Sequence, residues 1–70
     1  MHRSNIKSST LRAAGYNVDY KTLELEFTSG EIYQYFNVPH SHYIGLMQAA
    51  SHGEFFNRYI KDNFHYNKIT

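Results

Sequence analysis

The chain has no cysteine and no tryptophan, and it contains a single proline in its 70 residues. Without cysteine, neither a disulfide framework nor a thiolate metal site can support the fold, so a small core must be held by packing alone. No segment approaches the ~20 apolar residues of a membrane span, and the polar N-terminus does not read as a signal peptide. We therefore expect a cytoplasmic protein with no membrane partner.

An excess of charge is also missing. Seven Lys and Arg against six Asp and Glu give a formal net charge of +1, and the basic residues form no run. Charge alone thus gives no strong case for nucleic-acid binding. Aromatic residues are plentiful instead, with seven Tyr and five Phe. Most recur at strand or helix spacing, which is typical of core residues, with the tyrosine hydroxyls expected near the surface.

Residues 22–38 alternate apolar and polar side chains around a T-S-G turn, which predicts a β-hairpin. A two-residue turn would place Gln34 opposite the leucines of the first strand, whereas a three-residue turn would place Tyr33 and Tyr35 there. We favour the three-residue turn because it keeps Gln34 out of the core. It also puts Gly30 at the left-handed position of a G1 bulge.

Further elements flank this hairpin. A first strand is predicted over residues 10–16, and Pro39 should end the third strand near Asn37 or Val38. The spacing then becomes helical, and a capping box at Ser51–Glu54 marks the start of a second helix. Two apolar stripes define these helices: Tyr43, Leu46, Met47 and Ala50 in the first, and Phe55, Phe56, Tyr59, Ile60 and Phe64 in the second.

The sequence therefore predicts an α+β fold, a three-stranded antiparallel β-meander followed by two helices on one sheet face, in the order β-β-β-α-α. We expect a flexible leader over residues 1–8, a single domain over residues 9–66 and a frayed C-terminus over residues 67–70. The predicted core consists of Leu23, Leu25, Phe27, Tyr33, Tyr35, Tyr43, Leu46, Phe56 and Ile60.

The order of these motifs resembles the KTSC domain, a short module at the C-terminus of some lysyl-tRNA synthetases that also occurs as small stand-alone bacterial and phage proteins. The resemblance covers roughly residues 8–64. It is carried by G-Y at residues 15–16, L-x-L-x-F at 23–27, G-x-x-Y-x-Y at 30–35, V-P at 38–39 and A-S-x-G-x-F-F-N-x-x-I at 50–60.

This resemblance implies a small binding module, and its association with a tRNA-charging enzyme implies contact with RNA or single-stranded nucleic acid. The Y-x-Y motif of the family falls on Tyr33 and Tyr35. Outward-facing aromatic residues at this spacing can stack bases, although the favoured register turns both rings toward the core. The candidate nucleic-acid-binding residues are Tyr33, Tyr35, Arg12, Arg58 and Lys61.

A protein-interaction or homodimer surface is the alternative. Ile32 and Phe36 would lie on the outer sheet face and could bind a protein partner or a second copy. His40 and His42 are too few to form a zinc site, and no nucleophile, phosphate loop or acidic pair indicates catalysis. The sequence thus predicts no enzyme, no cofactor and no metal.

Overall fold

The computed structural model describes residues 2–70, which form a sheet and a helical layer. Its elements in chain order are β1 (Ser4–Asn5), β2 (Leu11–Asn17), β3 (Thr22–Phe27), β4 (Ile32–Tyr35), α1 (His40–Gln48), α2 (His52–Phe55) with a π-helical turn (Phe56–Ile60), and β5 (Tyr66–Lys68). The α+β class is as predicted. Within residues 2–70, no helix has the length and apolar character needed to cross a membrane.

The sheet has five antiparallel strands in the order β1-β2-β3-β4-β5, so the predicted three-strand meander is an undercount. The two additional strands lie at the ends of the chain: β1 in the segment predicted as a leader, and β5 at the junction of the predicted domain and the predicted frayed end. β1 has two residues and β5 has three. Strands this short carry no readable alternation, and their backbone pairing with β2 and β4 defines them.

The turn between β3 and β4 has the three-residue form that the sequence favoured. The Gly30 amide donates to the Phe27 carbonyl (2.9 Å), the Phe27 amide donates to the Glu31 carbonyl (2.9 Å), and Gly30 has a φ of 96°. Leu23 therefore pairs with Tyr35, and Leu25 with Tyr33, which confirms the predicted register. Both tyrosines lie on the same sheet face as the leucines.

Strand β4 ends at Tyr35, two residues before the position expected from the alternating pattern. Asn37 adopts a left-handed φ of 57°, which turns the chain out of the sheet. The Val38 amide then donates to the Lys21 carbonyl (2.9 Å), and Val38 becomes fully buried. Val38 is therefore not the last residue of strand β4. Its buried side chain instead holds the segment that leads into α1 against the core.

The two helices pack closely where Gly45 of α1 meets Phe55 of α2. A Cβ atom at Gly45 would lie 2.7 Å from Cζ of Phe55, so only glycine allows this approach without a shift of the ring. The Ser51 hydroxyl accepts from the Glu54 amide (3.2 Å), as the capping box predicts. The Glu54 carboxylate, however, pairs with Arg58 (3.4 Å) instead of reaching back to the cap.

The core lies between the inner sheet face and the helices. Of the predicted core residues, Leu23, Leu25, Tyr35, Leu46, Phe56 and Ile60 are buried, and Phe27, Tyr33 and Tyr43 are partly buried against them. Leu11 and Val38 are also fully buried. Sequence reasoning left both out of the core, since each lies at the margin of an alternating segment.

Candidate functional site

An open cleft lies on the inner sheet face, beside the end of the π-helical turn. Its volume is ≈ 490 Å³. The turn after α2 borders it on one side and the loops next to β2 and β3 border it on the other. Its lining residues are Ser9, Thr10, Phe27, Thr28, Ser29, Glu31, Tyr33, Tyr35, Phe56, Lys61, Asp62 and Tyr66. We call this the aromatic cleft.

Five rings in mutual contact form the floor of the aromatic cleft. Tyr33 lies at the centre, with ring centroids 5.5 Å from Phe27, 6.4 Å from Tyr35 and 5.5 Å from Tyr66. Tyr35 in turn lies 5.5 Å from Tyr66 and 5.8 Å from Phe56. These distances fall in the range of favourable aromatic pairs, so each ring orients its neighbours.

Exposure increases across the floor. Tyr35 is only 4% exposed and Phe56 5%, whereas Tyr66 is 54% exposed and Tyr33 is intermediate. The two residues of the Y-x-Y motif therefore differ in role despite facing the same way. Tyr35 belongs to the core, while Tyr33 and Tyr66 present ring surface that a planar ligand can reach.

The hydroxyl of Tyr35 is held in its neutral form. Burial, followed by the nearby charges of ionised Tyr33, Tyr66 and Asp62, raises the pKa of Tyr35 to about 12. The phenol therefore stays protonated across the physiological range. The negative charge of Asp62 is thus one of the groups near enough to Tyr35 to raise its pKa.

The charges along the rim nearly balance. Glu31 forms an ion pair with Lys68, with 3.0 Å between carboxylate oxygen and Nζ. The hydrogen bond and charge of Lys68 lower the pKa of Glu31, and the same pair raises the pKa of Lys68. Lys61 and Asp62 line the cleft without an ion pair to any residue in the range 2–70. The cleft is thus aromatic and close to neutral.

The structure brings three of the five nucleic-acid candidates together, Tyr33, Tyr35 and Lys61. Arg12 instead donates to the Glu26 carboxylate (3.3 Å) and the Thr28 carbonyl (3.2 Å). Arg58 pairs with Glu54 on the exposed side of the helix. The predicted basic residues therefore do not form one continuous surface with the rings.

On the outer sheet face, sequence reasoning missed a buried carboxylate, that of Glu24, which is 6% exposed. Gln34 donates to it (2.8 Å) from the paired strand, and Arg3 crosses the face to bind it. Burial alone would raise the pKa of Glu24, but these hydrogen bonds and the charge of Arg3 outweigh it and lower the pKa. Because Arg3 also pairs with Glu26 (3.6 Å), charged groups occupy the centre of this face.

The residues proposed for protein interaction lie near that network. Ile32 and Phe36 are each partly buried. The Ile32 amide donates to the Thr70 carbonyl (2.7 Å), and the Phe36 amide donates to the His65 carbonyl (2.9 Å). The C-terminal segment is therefore bonded along β4, and the side chains of Ile32 and Phe36 are each only partly accessible.

The two histidines at the start of α1 contact different rings. His40 stacks on Tyr16 with 5.1 Å between ring centroids, and His42 packs edge-on against Phe64 at 5.5 Å. Across residues 2–70, no three His, Cys, Asp or Glu side chains are grouped so as to hold a metal ion. Both histidines thus pack against neighbouring aromatic rings at the start of α1.

Sequence reasoning also missed Tyr66, the most exposed ring of the aromatic cleft. The final residues Y-N-K-I-T contain aromatic and β-branched side chains that favour a strand, which was the available signal. The segment was too short and too polar to distinguish from a frayed end. Only its pairing with β4 brings Tyr66 beside Tyr33 and Tyr35.

Comparison with known proteins finds similar sequences of two lengths. A lysine–tRNA ligase of Nostoc sp. is 39% identical over 64 residues, and one of Nostoc punctiforme is 36% identical over 64 residues. Each match covers 91% of this chain, which spans 11% of the ligase. An uncharacterized protein of Stutzerimonas stutzeri is 41% identical over 61 residues, covering 87% of this chain and 86% of that protein.

A solved structure and a family model agree with these matches. The crystal structure of a KTSC domain protein from Yersinia pestis superposes with a TM-score of 0.96 at 36% identity, covering 99% of this chain and 97% of that one. The model of the KTSC domain matches residues 7–64. The resemblance seen in the sequence motifs is confirmed, and the chain belongs to the KTSC domain family.

Proposed function

We propose that this KTSC domain is a non-catalytic binding module whose aromatic cleft contacts single-stranded nucleic acid, RNA in the first place. The accessible rings of Tyr33 and Tyr66, packed beside the buried rings of Tyr35 and Phe56, carry this proposal. Stacking of a base on an aromatic side chain contributes ~1–3 kcal/mol and needs no specific base edge. A cleft of ≈ 490 Å³ is large enough for a planar base.

The relatives support RNA as the ligand. Lysine–tRNA ligases, which act on tRNA, contain a region similar to nearly the whole of this chain. That region is a small part of each ligase, so the activity of the ligase does not transfer to this chain. A module that contacts RNA next to a catalytic domain is a simple explanation for its presence there.

The residues that line the cleft support a role in binding over one in catalysis. They include neither His nor Cys, and the Glu31 carboxylate is engaged by Lys68 and by the Ser29 hydroxyl. No hydroxyl in the cleft thus has an imidazole beside it to act as a general base. The chemistry of the cleft is that of stacking and hydrogen bonding.

Electrostatics should contribute little to this binding. Lys61 is the one basic residue among those that line the cleft, so few phosphates are neutralised when RNA binds. The slope of log affinity against log salt should therefore be on the order of 1 or less. A binding surface built from Arg12, Arg58 and Lys61 together would give a steeper slope.

Fluorescence anisotropy with a labelled single-stranded oligoribonucleotide tests the proposal. Tyr33→Ala and Tyr66→Ala should each weaken binding about 5- to 150-fold, because each removes a stacking surface. Tyr33→Phe should bind nearly as the wild type does, since it keeps the ring. Tyr35→Ala is unsuitable here because loss of a buried ring would destabilise the fold.

Tyr20→Ala is the matched control. Tyr20 is 76% exposed in the turn between β2 and β3, at the end of that hairpin opposite the cleft, so its loss should leave binding unchanged. Circular dichroism and thermal melts would establish that each variant is folded. Absence of binding to RNA and single-stranded DNA even at low salt would refute the proposal, as would equal losses in the Tyr20 and Tyr33 variants.

A further inference from the structure

One carboxylate at the rim of the aromatic cleft has no partner. Asp62 lines the cleft beside Lys61, yet it forms no hydrogen bond or ion pair with the other residues between 2 and 70. The neighbouring acid, Glu31, is already bound by Lys68 and Ser29. Asp62 is therefore the carboxylate whose acceptor atoms remain available to a ligand in the cleft.

Asp62 is exposed to solvent, and within residues 2–70 its carboxylate makes no hydrogen bond that would stabilise the turn. Asp62 follows the last turn of the second helical segment, where the carbonyl ends of the peptide dipoles disfavour a negative charge. The adjacent Asn63 supplies the useful contact there, because its side-chain amide donates to the Tyr59 carbonyl (2.8 Å). The carboxylate thus adds negative potential to the cleft without stabilising the turn.

That potential reaches the ring floor. The negative charge of Asp62 is among the groups that raise the pKa of buried Tyr35, after burial itself and the neighbouring tyrosines. Because Asp62 lines the same cleft as Tyr33 and Tyr66, a ligand that stacks on these rings meets a carboxylate acceptor at the rim. Charge complementarity favours a base edge rich in hydrogen-bond donors and disfavours a phosphate close to Asp62.

Among the four bases, guanine has the edge that fits a carboxylate best. Its N1–H and N2–H₂ groups are neighbouring donors, and a carboxylate can accept from both with its two oxygens. Adenine and cytosine each place a ring-nitrogen acceptor beside their amino donor, which a carboxylate oxygen repels. Uracil offers a single N–H between two carbonyl oxygens.

We propose that the aromatic cleft selects guanine in single-stranded RNA, with the base stacked on Tyr33 and Tyr66 and its N1–H and N2–H₂ donating to Asp62. This inference rests on the proposed function, because it names the base that the same cleft takes. Stacking supplies affinity for any base, and the carboxylate supplies the preference among bases.

Hexanucleotides that differ at one position provide the test. In U-U-X-U-U-U, with X as guanosine, adenosine, cytidine or inosine, the wild type should bind the guanosine form tightest, about 5-fold to 150-fold over adenosine. Inosine lacks the N2 amino group and should fall between the two. A single guanosine in a uridine context also avoids guanine-quadruplex formation.

Asp62→Asn should change the order of preference. An amide offers one acceptor and one donor, which matches the adenine edge and leaves one guanine donor unpaired. The guanosine preference should therefore disappear or reverse toward adenosine, while the Tyr33-dependent stacking remains. Asp19→Asn is the matched control, since Asp19 lies in the β2–β3 turn at the end of the hairpin opposite the cleft.

The outcomes separate the two proposals. Equal affinity for all four hexanucleotides, or a guanosine preference that Asp62→Asn leaves intact, overturns the role of Asp62 but not the stacking function. Failure of the wild type to bind any hexanucleotide at low salt overturns both. A guanosine preference that is lost in Asp62→Asn and kept in Asp19→Asn establishes the inference.

Discussion

Glu24 shows how a buried charge is accommodated in a small domain. Its carboxylate is nearly enclosed on the outer sheet face, where desolvation disfavours the ionised form. Gln34 and Arg3 supply the hydrogen bonds that keep it ionised, and they come from strand β4 and from the residue just before β1. These hydrogen bonds connect the N-terminal segment to the middle of the sheet. Removing the network should therefore lower stability and leave ligand binding unchanged.

Stability should depend on pH through this residue. Glu24→Gln should lower the free energy of unfolding by about 1–3 kcal/mol at neutral pH, because a charge-assisted hydrogen bond to Arg3 is lost. The pKa of Glu24 in the folded chain lies below its ordinary value of 4.5. The contribution of the carboxylate is thus complete above that value and disappears as the pH falls through the lowered pKa.

Urea unfolding of the wild type and Glu24→Gln at several pH values measures this effect. The difference in unfolding free energy between the two proteins should be constant near neutral pH and should shrink in acid. Glu54→Gln is the control, since Glu54 forms an exposed pair with Arg58 and should change stability by less than ~0.5 kcal/mol. If the difference in unfolding free energy between wild type and Glu24→Gln grew in acid, the predicted direction of the pH dependence would be wrong.

The direction of individual side chains could be predicted from the sequence, but their accessibility could not. Alternation and turn length were enough to place Tyr33 and Tyr35 on the inner face. Whether those rings are covered depends on where the helices end and on the short strand β5, which are tertiary features. The same limit explains why Tyr66 and the Arg3–Glu24 contact were missed.

At the level of elements, the β3–β4 turn sets the register that builds the aromatic cleft. Gly30 has a φ of 96°, a conformation that L-residues rarely adopt, and no atom lies within 4 Å of the position of a Cβ there. The requirement for glycine is therefore conformational and not steric. If the turn changed length by one residue, Tyr33 and Tyr35 would move to the outer face.

Gly30→Ala should destabilise the domain by about 1 kcal/mol, because the L-residue is strained at this φ. D-alanine at the same position, introduced by chemical synthesis, should retain or increase stability, since its preferred φ is positive, as the φ of Gly30 is. Thermal unfolding of the three proteins makes the comparison. Equal destabilisation by both alanine enantiomers would show that the cost is steric and would refute this explanation.

Elements long enough to show a pattern were predicted, and the shortest ones were not. Strand β3 has the predicted bounds, and the Ser51 cap starts α2 as expected. β1 and β5 have two and three residues, so their sequences are too short to show a repeated alternation. In a three-stranded sheet of β2, β3 and β4, the outer backbone groups of β2 and β4 would be unpaired. β1 and β5 pair with those groups.

At the scale of the whole molecule, the sheet edges and the outer face both disfavour self-association. The edge strands β1 and β5 are very short, and β5 carries Lys68, features that limit edge-to-edge pairing. The outer face is centred on the charged groups of Arg3, Glu24 and Glu26, which a second copy would have to desolvate. We therefore expect the charged centre of the outer face to disfavour a homodimer.

We expect the protein to sediment as a monomer of 8.3 kDa from micromolar to millimolar concentration. Stable interfaces bury ~1,200–2,000 Å² in total, and the half-buried side chains of Ile32 and Phe36 cannot supply a large apolar share of that area. Ile32→Glu should accordingly leave the sedimentation coefficient unchanged. A coefficient that rises with wild-type concentration, and no longer rises in Ile32→Glu, would instead establish the outer face as a dimer interface.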